Sequence, residues 1–150
     1  MPQLDKSTTQ RIAATMAVVA LGVPALPAAA AAQSFDGRYK AVLNCAKLPF
    51  TDAPLDNERV ELTIAKGRAS YSRTLYGANR KTVVGKETGS GTVAADGTIS
   101  LSGGWTGQRD TLQATYSGKF AGGSATLNGK HVVTYQGRSY DRSCTLTVKR

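Results

Sequence analysis

The sequence predicts an all-β fold: a small antiparallel meander barrel of about eight strands, its first and last strands joined by a disulfide, with a β-sandwich as the alternative. Three observations carry this. After Ala32 the apolar residues recur with period 2, the alternation of a half-buried strand, and no stretch there shows a 3.6-residue period. Glycine-containing turn signals interrupt the alternation at short intervals. Two cysteines, Cys45 and Cys144, fall in the first and last predicted strands, each in phase with the apolar face.

Taken in order, Phe35, Tyr39, Ala41, Leu43 and Cys45 share one parity and interleave with Arg38, Lys40 and Asn44, giving the first strand. Residues 46–57 hold Pro49 and Pro54 and read as a loop. Val60, Leu62 and Ile64 make a second strand, and Lys66-Gly67-Arg68 a turn. Tyr71, Arg73 and Leu75 alternate with Ser70, Ser72 and Thr74 in a third. A loop follows over residues 76–81. Residues 82–93 form a candidate strand interrupted by Gly85, Gly89 and Gly91, glycines of the kind that bend a small sheet towards closure. Asp96-Gly97 signals a hairpin. Ile99, Leu101 and Trp105 are in phase on the next strand, and residues 107–110 turn the chain. Leu112, Ala114, Tyr116 and Phe120 follow in phase, then a Gly122-Gly123 turn. Ala125 and Leu127 lead to Asn128-Gly129, which reads as another turn and places His131 just beyond it, as an exposed hairpin histidine. Val133 and Tyr135 are in phase, residues 137–141 are polar, and Cys144, Leu146 and Val148 close the pattern.

The cysteines favour the barrel over the sandwich. A Cys45–Cys144 bridge sets the first and last strands side by side, which closes a meander and removes its exposed edges. By the chain-entropy account, closing a loop of about 100 residues contributes around 4 to 5 kcal/mol before native strain.

The chain has 150 residues, a length for one domain. Its start is set apart. Residues 1–11 are polar and carry Lys6 and Arg11; residues 12–32 are almost wholly apolar, rich in alanine, and end in Ala30-Ala31-Ala32. A charged start, an apolar middle and a small-residue exit predict a secretory signal removed between Ala32 and Gln33, leaving one domain over residues 33–150. No cysteine follows the apolar run to take a lipid, and no second apolar run follows to span a membrane. Export predicts the periplasm or the extracellular space, where a pair of thiols is oxidised.

The formal net charge is +9, and all but two of the basic residues and all but one of the acidic ones lie after the signal-like stretch. Such an excess attracts anionic partners. It concentrates between Lys66 and Lys86, where Lys66, Arg68, Arg73, Arg80, Lys81 and Lys86 occur with no acid among them and Tyr71 and Tyr76 are interleaved. Arginine with tyrosine grips anions by charge, hydrogen bonding and stacking. The plainer reading of the same run is a solvated hairpin that keeps the protein soluble.

No constellation for catalysis emerges. His131 is the single histidine, so any Ser-His-Asp or Cys-His scheme depends on it. Zinc needs clustered His and Cys, and calcium closely spaced carboxylates; Asp52, Asp56 and Glu58 lack the spacing. Gly85-Lys86 is followed by Glu87 where a phosphate loop has Ser or Thr. The remaining acids read as solvated side chains beside Lys and Arg. Tyr39, Tyr71, Trp105, Tyr116 and Phe120 read as core filling before they read as a cavity lining. No catalytic residue, metal or cofactor is expected.

The Phe35-Asp36-Gly37-Arg38-Tyr39 opening, the Asp96-Gly97-Thr98 hairpin and the Arg142-Ser143-Cys144 ending resemble small secreted bacterial β-barrel proteins of unknown function, over most of the exported part. The resemblance implies a fold and no activity. The plan is also similar to envelope inhibitors of lysozyme or proteases, at the level of fold alone. The expectation is therefore a non-enzymatic exported binding module of the bacterial envelope. Its partner is an anionic polymer or a protein, with nucleic acid a weaker choice. A lipocalin- or avidin-like small-ligand barrel, an enzyme inhibitor and a hydrolase follow as alternatives.

Overall fold

A computed structural model describes residues 34–77 and 80–150, apart from the side chain of residue 57. The signal-like stretch and its cut at Ala32 lie outside the described residues. The described residues belong to one compact unit.

The chain is a closed antiparallel barrel in meander order. Its strands are β1 (Gly37–Cys45), β2 (Leu55–Ala65), β3 (Arg68–Tyr76), β4 (Val83–Val93), β5 (Thr98–Thr106), β6 (Thr111–Ala121), β7 (Ser124–Tyr135) and β8 (Arg138–Lys149). The barrel form of the sequence expectation stands, and the sandwich does not.

Alternation sets each strand's faces. On β1, Tyr39, Ala41, Leu43 and Cys45 are buried while Arg38 and Lys40 are exposed. On β8, Cys144, Leu146 and Val148 point in. The β1–β8 ladder runs from Lys40↔Lys149 to Cys45↔Cys144 and closes the wall; the Cys45–Cys144 disulfide ties its last pair, 99 residues apart in sequence.

Three hairpins use two-residue turns with both φ angles positive, the form that follows strand twist: Lys66-Gly67, Gly122-Gly123 and Gln136-Gly137. The Asp96-Gly97 turn is braced by the Asp96 carboxylate, which accepts the Thr98 backbone N–H and hydroxyl, both at 2.9 Å. The Asn128-Gly129 expectation is corrected: both residues lie inside β7. Gly129 is required there because a Cβ would overlap the Thr115 carbonyl and the Tyr116 ring. The loop expected to 57 ends earlier, with β2 beginning at Leu55.

The two ends of the barrel differ. One carries the turns 66–67, 94–97 and 122–123, and Phe35 plugs it, stacked on Phe120 at 5.4 Å. Tyr39 packs on the same ring at 5.3 Å and donates its hydroxyl to the Phe35 carbonyl at 2.6 Å. Ile64, Ile99, Leu127 and Val148 fill the interior there, each fully buried. The other end carries the connections 46–54 and 107–110 and the adjoining ends of β3 and β4, and its interior is polar.

Candidate functional site

Two features distinguish the polar end. The first is a buried network. Arg73 and Glu87 stand opposite each other on β3 and β4, 5% and 0% exposed. The Arg73 Nε and Nη2 donate to Glu87 Oε2 at 3.0 and 2.5 Å, and Tyr71 donates to Oε1 at 3.0 Å. Such a pair persists in a low-dielectric interior only when its oxygens are satisfied in this way. Across the barrel, Arg142 Nη2 lies 3.3 Å from Nδ1 of His131, and His131 Nε2 lies 2.6 Å from the Tyr116 hydroxyl. Guanidinium only donates, so Nδ1 accepts and Nε2 carries the proton that goes to Tyr116. A directed chain thus runs from Arg142 through His131 to Tyr116, and the Glu87 carboxylate acts on Tyr116 through its charge.

This setting fixes charge states. Burial first, then the Arg142 and Arg73 charges, push His131 down to about 3. Tyr71 is held well above its ordinary range by burial and then by the Glu87 carboxylate; Tyr116 is raised by the same two causes. Burial and the Arg73 charge lower Arg142. His131 is therefore neutral, enclosed and hydrogen-bonded at both nitrogens, not placed to take a proton from a substrate.

The histidine expectation is corrected accordingly: His131 is 0% exposed, not a surface residue. Its neighbour Lys130 is the outward residue, paired with Asp141. The histidine also lies beside the disulfide, Nδ1 being 3.8 Å from Cys45 Sγ. Cys45, His131 and Cys144 place three potential ligand atoms within 4.8 Å of one another, but the two sulfurs are bonded to each other and offer no thiolate.

The second feature is a lip. The β2–β3 ladder ends at Glu61↔Ser72, and the β4–β5 ladder at Thr88↔Gly104, while β3 and β4 stay paired as far as Tyr76↔Val83. The outer half of the β3–β4 hairpin therefore parts from both neighbouring strands. On the β4 side, the Trp105 indole packs against Gly85. On the β3 side a cleft of about 490 Å³ opens, lined by β2 and β3 and reaching Arg73. Beyond it, Tyr76, Val83 and Val84 are 50%, 60% and 50% exposed, large apolar surfaces beside exposed Arg80, Lys81 and Lys86.

The predicted basic run is thus divided. Arg80, Lys81 and Lys86 gather at the lip with Tyr76. Lys66 and Arg68 are exposed at the opposite end of β3, by the Lys66-Gly67 turn. Arg73 points inward and its charge is met by Glu87; Tyr71 is 4% exposed and bonded to the same carboxylate. Glu87 and Arg142 were missed as partners. Parity held the signal, since Glu87 is in phase with Val93, and Arg142 with Cys144 and Leu146. Tyr39, Tyr116 and Phe120 are core, and Trp105 is partly buried against it.

Compared with known proteins, the chain matches no family model, no curated protein and no solved structure.

Proposed function

We propose that this protein is an exported, non-enzymatic binding module that docks an acidic protein partner through the β3–β4 lip. The observation that carries the reading is the composition of that lip: Tyr76, Val83 and Val84 uncovered side by side with Arg80, Lys81 and Lys86. Apolar and aromatic side chains ringed by cations form the core and rim of a protein interface. A polyanion needs a continuous basic track, and the separation of Lys66 and Arg68 from the other cations argues against one. Export is supported by the signal-like start and by the disulfide, which an oxidising compartment maintains.

Co-sedimentation of the purified protein with envelope fractions tests this, at low and high salt and before and after protease treatment of the envelope. The expected result is binding that weakens with salt, is lost after protease, and is lost in an Arg80→Ala/Lys81→Ala/Lys86→Ala variant. Binding that survives protease treatment identifies an anionic polymer instead. Binding unaltered in the triple variant refutes the lip as the docking surface.

A further inference from the structure

We infer that the seam between β2 and β3 accepts an extended segment of the partner, which pairs through its main chain with the uncovered edge of β3 and completes the barrel wall. This rests on the reading that the partner is a protein, and adds how it is held.

Both lips of the seam are regular strand with one side occupied. On β3, Arg73, Thr74 and Leu75 pair with Glu87, Lys86 and Gly85 of β4. On β2, Glu58, Arg59 and Val60 pair with Leu43, Val42 and Ala41 of β1. Continuing the β2–β3 register past Glu61↔Ser72 would set Val60 opposite Arg73, Arg59 opposite Thr74 and Glu58 opposite Leu75, and none of these pairs forms. Every second residue on each lip therefore turns its N–H and C=O into the cleft. Main-chain groups of this kind, left to water at a sheet edge, template an added strand. The cleft volume of about 490 Å³ falls among those of ligand-holding clefts, roughly 300–1,000 Å³.

The lips also define the occupant. β2 and β3 are antiparallel, so an inserted strand runs antiparallel to one and parallel to the other; antiparallel pairing with β3 is the stronger choice. Its inward residues meet Val60 and Arg73, whose charge Glu87 already holds, and further out Leu75 and the half-buried Glu58; they are small, and apolar at the level of Val60. Its outward residues pass Arg59 on one side and Thr74 and Tyr76 on the other, a setting for an acid and a threonine. Arg59 and Lys86 line the cleft together with Glu58 and Glu61. The two signs balance there, so seam pairing is insensitive to salt where lip docking is not.

A tethered strand tests this without altering the barrel. The probe Val-Thr-Val-Glu-Val-Thr is joined after Arg150 by a Gly/Ser linker of about 30 residues, which has an r.m.s. span of roughly 30 Å and presents the probe at millimolar effective concentration. The control probe is Val-Pro-Val-Pro-Val-Pro, which lacks the N–H groups a ladder requires. Amide hydrogen exchange is followed at residues 58–60 and 73–76. The expected result is exchange slowed at least tenfold by the Val-Thr probe alone, unchanged in an Arg80→Ala/Lys81→Ala background, which leaves the cleft lining intact, with the same amides protected when the untethered protein is bound to envelope. Equal exchange with both probes overturns the inference, as does envelope binding that leaves these amides unprotected; the proposed function stands or falls separately on the triple variant.

Discussion

Arg73 and Glu87, opposite each other on neighbouring strands, form a buried ion pair inside a barrel wall that has parted beside them. The pair occupies the interior where β2 and β3 separate, and the Tyr71 hydroxyl completes the carboxylate's set of donors. Its removal is the sharpest test of the network. Glu87→Ala leaves a buried guanidinium without a counter-charge and is expected to cost about 3–5 kcal/mol. The double variant Arg73→Met/Glu87→Leu is expected to recover most of that loss, because it removes both charges. Urea unfolding of the three proteins decides this; equal losses in the single and double variants would contradict it.

His131 predicts the pH dependence. Its ordinary value is 6.5 and its folded value about 3. Between them the unfolded chain binds a proton that the folded chain refuses, so stability is full above 6.5 and falls as pH drops towards 3. The slope is at most about 1.4 kcal/mol per pH unit. Asp96 adds a second loss only lower down. Its carboxylate, held down to about 2 chiefly by the Thr98 N–H, stabilises the fold above its ordinary 3.8 and ceases to as pH falls to 2. The window from pH 6.5 to 5 therefore carries the histidine's effect ahead of that of Asp96. His131→Gln is expected to be less stable at pH 7 and flat across that window in urea titrations.

Loss of the disulfide is expected to weaken the barrel without opening it. A Cys45→Ser/Cys144→Ser variant gives up as much as about 4–5 kcal/mol of chain-entropy stabilisation. The β1–β8 ladder from Lys40↔Lys149 onward still closes the wall. Thermal melting followed by far-UV circular dichroism should show a lowered Tm with an unchanged β spectrum at 20 °C; a coil spectrum there would show that closure depends on the bridge.

Two glycines on β4 should respond differently to alanine. At Gly91 the new Cβ meets the Ser100 main chain on the adjacent strand, which cannot move without breaking the ladder. At Gly85 it meets the Trp105 indole, a side chain that can turn away. Gly91→Ala is expected to cost about 1–3 kcal/mol or more with little change in fluorescence. Gly85→Ala is expected to cost less and to shift the emission of the single tryptophan. The reverse pattern would place the rigid contact at Trp105.

Much of this architecture was legible in the chain. Period-2 alternation located most of the strands because each has one face in the core, and a one-residue slip would expose that face. The parity of Cys45 and Cys144 located the closure. The Asn128-Gly129 pair misled, since a strong turn dipeptide sits mid-strand where the Tyr116 ring needs a residue without a Cβ. Arg73 misled in another way. It stood in phase with Tyr71 and Leu75, yet its charge placed it on the surface with its basic neighbours; the acid that made burial tolerable, Glu87, lay on the next strand and just past the run.

By itself, then, the sequence determined the all-β class, the apolar faces of most strands and the covalent join of the first to the last. These follow from local alternation and turn chemistry, and from two cysteines of matching parity. Only the tertiary structure decided that Arg73, Glu87, Tyr116, His131 and Arg142 meet inside, that Lys66 and Arg68 part company with Arg80, Lys81 and Lys86, and that the wall opens between β2 and β3. Those outcomes depend on which strands adjoin, on where each ladder stops, and on whether a buried charge finds its partner across the barrel. All three are set by register in space, which spacing along the chain does not encode.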